Sequence, residues 1–187
     1  MNVLFINESL PLVPVLQTVK TLKILGVIFN CKLTWCDHFN YVCAKVSRRL
    51  YVLRVLKPLL SHDHLVEVFY CIVRSLLEYA CPVFLNPGTI LDAKFISLCK
   101  RAFRIIHGRD CTKCDSCNML DVSTRRELLS SRLFNEALNN PKHSLHRILP
   151  IFSRTGERLL LPHVRCSRRL KAFVFSCALM YNKCYPT

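Results

Sequence analysis

Glycine is scarce in this chain, four residues in 187, and tryptophan occurs once. With so little glycine and half the residues apolar, low-complexity disorder is excluded and there is ample material for a packed core. Acidic residues are also few, 12 Asp plus Glu against 27 Lys plus Arg, which leaves a formal net charge of +15. Such an imbalance says little about fold; it points to polyanionic partners, nucleic acid or an anionic membrane surface. Long uncharged apolar runs are missing. The longest candidate, residues 65–85, carries Glu67, Arg74 and Glu78, each costly at the centre of a bilayer, so no membrane partner or span is expected. The start, MNVLFINESLPLVP, lacks a basic n-region and breaks its apolar run at Asn7 and Glu8, so no secretory signal is expected.

Cysteine, by contrast, is abundant, with twelve residues spread along the chain. Cys43, Cys71, Cys99 and Cys177 fall inside apolar helical patterns, where a reduced thiol behaves as a small hydrophobe. Free thiols in an intracellular protein, nuclear or cytoplasmic, are the simpler reading, since a secreted disulfide scaffold is smaller and richer in loops.

Residues 2–29 read as strands and turns. VLFI, a turn at Asn7-Glu8-Ser9, prolines at 11 and 14, and the run LKILGVIF suggest a small β-hairpin or sheet edge, with Gly26 marking a bulge or a close backbone approach. From Asp37 the period changes. Phe39, Val42, Val46, Leu50 and Leu53 predict a helix ending before Pro58. Ser61 is a candidate N-cap for a second helix with the face Leu65, Phe69, Ile72, Leu76 and Ala80, stopped at Cys81-Pro82. A third helix follows Thr89, buries Leu91, Phe95, Leu98, Ala102 and Ile105, and ends at Gly108. Thr124 with Glu127 fits a capping box opening a fourth through about Leu138. A short helical turn is expected over Ser144 to Leu149, a strand near Leu159 to Leu161, and a last helix from about Leu170 to Lys183. The expected fold is mainly α, an irregular helical bundle with a small N-terminal β-hairpin, organised as residues 1–35, 36–122 and 123–187.

The most specific stretch is Lys23-Ile24-Leu25-Gly26-Val27-Ile28-Phe29, followed by Lys32-Leu33-Thr34-Trp35 and His38. It resembles the K-x-L-G-V…L-T-W-x-x-H block of non-LTR, LINE-type reverse transcriptases, jockey-like ones in particular. The resemblance continues in order through the basic, leucine-rich stretch Lys45 to Lys57 and through Arg74-Ser75-Leu76-Leu77-Glu78-Tyr79-Ala80-Cys81-Pro82-Val83. It goes on through Lys100-Arg101-Ala102 with Arg104 and Gly108, Arg125-Arg126-Glu127-Leu128, and Arg165, Arg168 and Arg169 with Tyr181-Asn182 and Pro186. It implies the primer-grip and thumb-like part of such a polymerase, which holds the primer–template duplex against the palm. Leu25 and Gly26 would sit at the grip, where glycine lets backbone approach the primer strand closely. From the residues alone, Trp35 reads as a core anchor where strand meets helix, and Glu78-Tyr79 as a pair that caps or packs a helix end.

Polymerase chemistry needs carboxylates converging on divalent metal ions. The resemblance implies that metal only for the full-length enzyme, because no Asp-Asp pair occurs anywhere in this chain. No cofactor and no catalytic residue is therefore expected of it, and it reads as a truncated fragment rather than an enzyme. The cations form three blocks, residues 41–60, 94–109 and 154–171, each with a net charge of +5. Lys23, Lys45, Arg48, Arg49, Arg54, Lys100, Arg101, Arg104, Arg168 and Arg169 are the candidate contacts to an RNA or DNA duplex, non-specific because phosphates carry no sequence. The bland reading of the same residues is a solvated face, with Arg101 and Arg104 offsetting a helix C-terminal dipole. The missing palm of the polymerase is a second candidate partner. Cys111, Cys114 and Cys117, with His107 upstream, supply part of a zinc ligand set without a second pair. That leaves an alternative: a non-catalytic helical module for protein interaction or stabilised by metal.

Overall fold

Leu25 and Gly26 both adopt positive φ, 47° and 85°. They form the two-residue turn between β3 (Thr21–Ile24) and β4 (Val27–Asn30), whose antiparallel register places Ile24 opposite Val27. Positive φ at both central positions is the type I′ geometry that matches the twist of the strands. The run LKILGVIF thus forms the expected small hairpin, with Gly26 in its turn rather than at a bulge. A second, two-residue parallel pairing joins β1 (Val3–Leu4) to β2 (Gln17–Thr18). The computed structural model describes residues 3–4, 17–108, 121–154, 156–166, 170 and 172–184. It divides into two units, Met1–Leu76 and Leu77–Thr187. The protein is mainly helical, with this small N-terminal hairpin.

In the first unit, α1 (Cys36–Leu56) buries Phe39, Val42, Val46, Leu50 and Leu53, the face its periodicity predicts. It packs on β4, on α2 (His62–Phe69) and on the turn that follows α2. The Ser61 side chain accepts a hydrogen bond from the His64 backbone N–H, so α2 is capped where expected. Beyond Phe69 the chain makes one π-helical turn, Tyr70–Arg74, in which the Ser75 N–H donates to the Tyr70 carbonyl five residues back. The short helix α3 (Ser75–Glu78) continues it.

The π turn corrects the expected face. Leu65, Phe69, Val73 and Leu77 are the buried residues, whereas Ile72, Leu76 and Ala80 are only partly covered. Steps of four drift around a regular α-helix, because each covers slightly more than one turn. A turn that closes five residues apart absorbs that drift and shifts the buried phase by one position. Ala80 ends the run in the left-handed region, φ 54°, ahead of a 3-10 turn at Cys81–Phe84.

In the second unit, α4 (Thr89–His107) and α5 (Val122–Asn139) pack together, and α5 also packs on the 3-10 turn and on α6 (Phe173–Cys184). Phe134, Leu85, Leu159, Cys177 and Ala178 form a core there. Gly108, φ 89°, closes α4 as expected. The start of α5 differs from expectation. Its N-cap is Asp121, whose carboxylate accepts from the Thr124 N–H at 3.0 Å, so Thr124 lies inside the first turn rather than capping it. The expected turn after α5 is a 3-10 turn at His146–Ile148, and the expected strand near 160 is a single bridge, Phe152 to Leu159. Asn182 clamps that bridge, its side-chain oxygen accepting from the Leu159 N–H at 2.9 Å and its amide donating to the Leu159 carbonyl at 3.0 Å.

Candidate nucleic-acid interface

The block from Lys23 to His38 works as a fastening between hairpin and helix. The Phe29 and Trp35 rings meet edge to face, centroids 5.7 Å apart. The Asn30 amide donates to the Thr34 hydroxyl at 2.7 Å and to Asp37 at 2.8 Å, while its oxygen accepts from the Thr34 N–H at 2.8 Å. Asn30 thus engages the entry to α1, whose own N-cap residue, Trp35, makes no side-chain cap bond. His38 is buried, its Nδ1 accepting from the Ile28 N–H at 3.4 Å, and burial lowers its pKa, so the ring is held neutral. Trp35 was expected as a core anchor where strand meets helix; it packs on Phe29 there but is only half-buried, and His38 and Phe39 are the buried residues at this junction.

This fastening brings a cationic cluster together between β3 and α1. Lys23 on β3 donates to the Tyr41 hydroxyl at 3.0 Å and lies 4.8 Å from the ring centroid. Lys45, one turn along α1, lies 4.7 Å from the same centroid. Hydrogen bonds from Lys23 and then Lys45 stabilise the phenolate and bring Tyr41 down to about 8. Tyr41, Lys45, Arg48, Val52 and Val55 recur at steps of four and three and form one stripe along α1. Arg49 flanks that stripe. Arg54, at about 100° per residue, falls roughly 120° away from Arg48 and off the stripe. All four α1 cations are exposed. Tyr41 was missed by sequence reasoning; its spacing from Lys45 is visible in the sequence, but Lys23 reaches it from another element.

The hairpin tip lies at the end of this unit's short sheet. Leu25 is 86% exposed although it occupies left-handed backbone. That conformation costs an L-residue roughly 1–2 kcal/mol, and no burial of the side chain offsets it.

The second unit carries its own cations. Lys100, Arg101 and Arg104 are exposed on the face of α4 opposite Phe95, Leu98, Cys99 and Ala102. Arg125 and Arg126 serve a different purpose. Arg125 donates to Glu78 at 3.2 Å, which ties α5 to the end of α3. Arg126 is buried, donates to Asp92 at 2.7 Å and to the Leu85 carbonyl at 3.4 Å, and lies over the Phe84 ring. The Glu78 and Arg125-Arg126 motifs, 47 residues apart, thus meet as a buttress, in line with the packing role read for Glu78.

Arg168, Arg169, Cys111, Cys114 and Cys117 lie outside the described residues. His107, the remaining candidate ligand, stacks on Phe103 with centroids 4.2 Å apart. Among the described residues no three His, Cys, Asp or Glu side chains converge as a metal site. Cys31, Cys36, Cys43, Cys71, Cys81, Cys99, Cys166 and Cys177 are free thiols, and burial pushes Cys81 up to about 11 and Cys177 up to about 12. Among the described residues no helix is long and apolar enough to cross a membrane. Comparison with protein families, with curated proteins and with solved structures finds no match.

Proposed function

We propose that this chain is a non-catalytic fragment of a LINE-type reverse transcriptase, its grip and thumb-like part, and that it holds a nucleic-acid duplex by the backbone. The observation that carries the reading is the hairpin tip with its cationic flank. Leu25 sits exposed in costly backbone two residues from Lys23, which reaches Tyr41; Lys45 shares that ring, and Arg48 follows on the same stripe of α1. A non-glycine residue held in left-handed backbone is a motive for a functional reading. Ammonium and guanidinium groups on one helix stripe suit phosphates spaced along a strand. Lys100, Arg101 and Arg104 supply a second set of such contacts. The palm of the polymerase is the protein partner of this reading, and the nucleus or cytoplasm its setting.

Filter binding of a primer–template duplex tests it. Micromolar or weaker affinity is expected, the same for unrelated sequences, since phosphate contacts position without specifying. Replacing Lys23, Lys45 and Arg48 together with Ala should weaken binding at least tenfold while circular dichroism stays unchanged, the residual binding resting on the second set and the net charge. Binding undiminished by the triple substitution refutes this reading.

A further inference from the structure

A groove of about 450 Å³ opens in the second unit between residues 148–151, residues 160–162 and the first turns of α6. Every side chain lining it is apolar, Ile148, Ile151, Leu160, Leu161, Val174 and Phe175 among them. Ile151 is 73% exposed, Ile148 62% and Leu160 53%. Single exposed aliphatics are ordinary, but several sharing one groove mark a place where another molecule sits. The walls are preformed. The Leu160 N–H donates to the Ile151 carbonyl at 2.8 Å, and the Asn182 clamp fixes the adjacent Leu159 to α6. A preformed groove costs little ordering when it is filled.

The sequence that carries the groove is strongly cationic. Between residues 141 and 184 there are nine Lys or Arg and a single acid, Glu157. Arg147 directly precedes the lining residue Ile148, Arg154 lies in the turn of the 152–159 pairing, and Arg165 follows Pro162 by three residues; all three are exposed.

We propose that this groove docks an acidic amphipathic segment of a partner protein, its apolar side chains filling the groove and its carboxylates meeting Arg147, Arg154 and Arg165. A second copy of this chain fits poorly, because its own excess of +15 would set like charges face to face. Nucleic acid fits poorly too. An all-apolar floor gives phosphates nothing to bond, and Pro150 and Pro162 contribute no backbone donor. Apolar anchors filling a groove, with opposite charges on the flanking chain, are instead the usual form of helix-in-groove recognition. The site lies in the second unit and does not depend on the duplex reading.

The test uses the full chain and two fluorescein-labelled synthetic peptides of about four helical turns. One carries Leu and Phe on one face and Glu on the other, and its counterpart has Lys for Glu. Anisotropy near physiological salt should show the Glu peptide binding at least tenfold more tightly than the Lys peptide. Ile151→Glu and Leu160→Glu, both at exposed positions, should each weaken the Glu peptide tenfold or more with the helical spectrum intact. Arg147→Glu with Arg165→Glu should narrow the difference between the peptides to less than threefold. Equal binding of both peptides, or undiminished binding by Ile151→Glu, overturns the proposal. A dimer in sedimentation that Ile151→Glu dissociates would assign the groove to self-association instead. Duplex binding lost in Ile151→Glu would assign it to nucleic acid.

Discussion

Arg126 sits 3% exposed against Asp92, and its Nε and Nη2 have no hydrogen-bond partner among the described residues. Such a pair is asymmetric under mutation. Asp92→Ala leaves a buried guanidinium uncompensated and should cost roughly 3 kcal/mol, whereas Arg126→Met removes the buried charge itself and should cost far less. Urea denaturation of the two variants measures the difference, and equal losses would mean that the pair contributes mainly shape. Tyr41 gives a spectroscopic counterpart in the first unit. Absorbance at the phenolate band should show one of the six tyrosines ionising near pH 8, and Tyr41→Phe should delete that transition. The charged groups acting on it are Lys23 from β3 and Lys45 from its own helix, so Lys23→Met should move the transition back toward the ordinary tyrosine range. The sign for binding follows directly. Below pH 8 the phenol is neutral and the cluster keeps both positive charges; above it the phenolate cancels one, so duplex affinity should fall as pH rises through 8.

The buried face of α1 was legible in the sequence because the helix is regular, and apolar residues at three- and four-residue steps can mean little else. On α4, Leu91, Phe95, Leu98 and Ala102 are buried as read, but Ile106 takes the place expected of Ile105, which is only partly covered. The phase after Phe69 was not legible. Counting by 3.6 led to Ile72 and Leu76, and nothing local in Tyr70-Cys71-Ile72-Val73-Arg74 announces a turn closed five residues apart. The Asp121 cap was hidden by a more explicit pattern, Thr124 with Glu127, three residues on. In the hairpin, Gly26 was read as a bulge or a close backbone approach, whereas it is the second turn residue after Leu25, a poor residue for a type I′ turn. That mismatch yields a prediction. Leu25→Asn should raise stability by roughly 1 kcal/mol, since asparagine tolerates left-handed backbone. The same substitution should weaken duplex binding if the exposed leucine serves the grip. A thermal melt and a filter-binding curve on one variant read both effects; unchanged stability would show that the turn is not strained.

At the scale of the whole molecule the net charge of +15 guarantees some attraction to any polyanion, so affinity alone says little. The salt dependence is more informative, because each neutralised phosphate contributes about 0.9 to the log–log slope. Arg48→Ala, on the α1 stripe, should lower the slope by nearly one unit. Arg54→Ala, on another side of the helix, should leave it almost unchanged although it removes the same formal charge. Equal effects from both would mean that the duplex sees a diffuse cationic surface rather than a contact face. The clustering of cations was plain in the sequence, and helical spacing sets Lys45 and Arg48 on the side of Tyr41, but the approach of Lys23 depends on the hairpin folding back onto α1, a long-range pairing that no local pattern encodes.

The π turn also determines how the chain responds to a change in its length. Remove one residue between Tyr70 and Arg74 and the buried positions 65, 69, 73 and 77 become 65, 69, 72 and 76, the spacing an uninterrupted α-helix requires. This segment therefore holds one residue more than its helical stripe needs. Deleting the exposed Cys71 should leave the melting temperature within a few degrees, while deleting Tyr51 from the regular α1 should unfold the first unit. If both deletions are equally ruinous, the extra residue is a requirement of the fold. If only the second is, this stretch is where the protein can gain or lose a codon without consequence for its core.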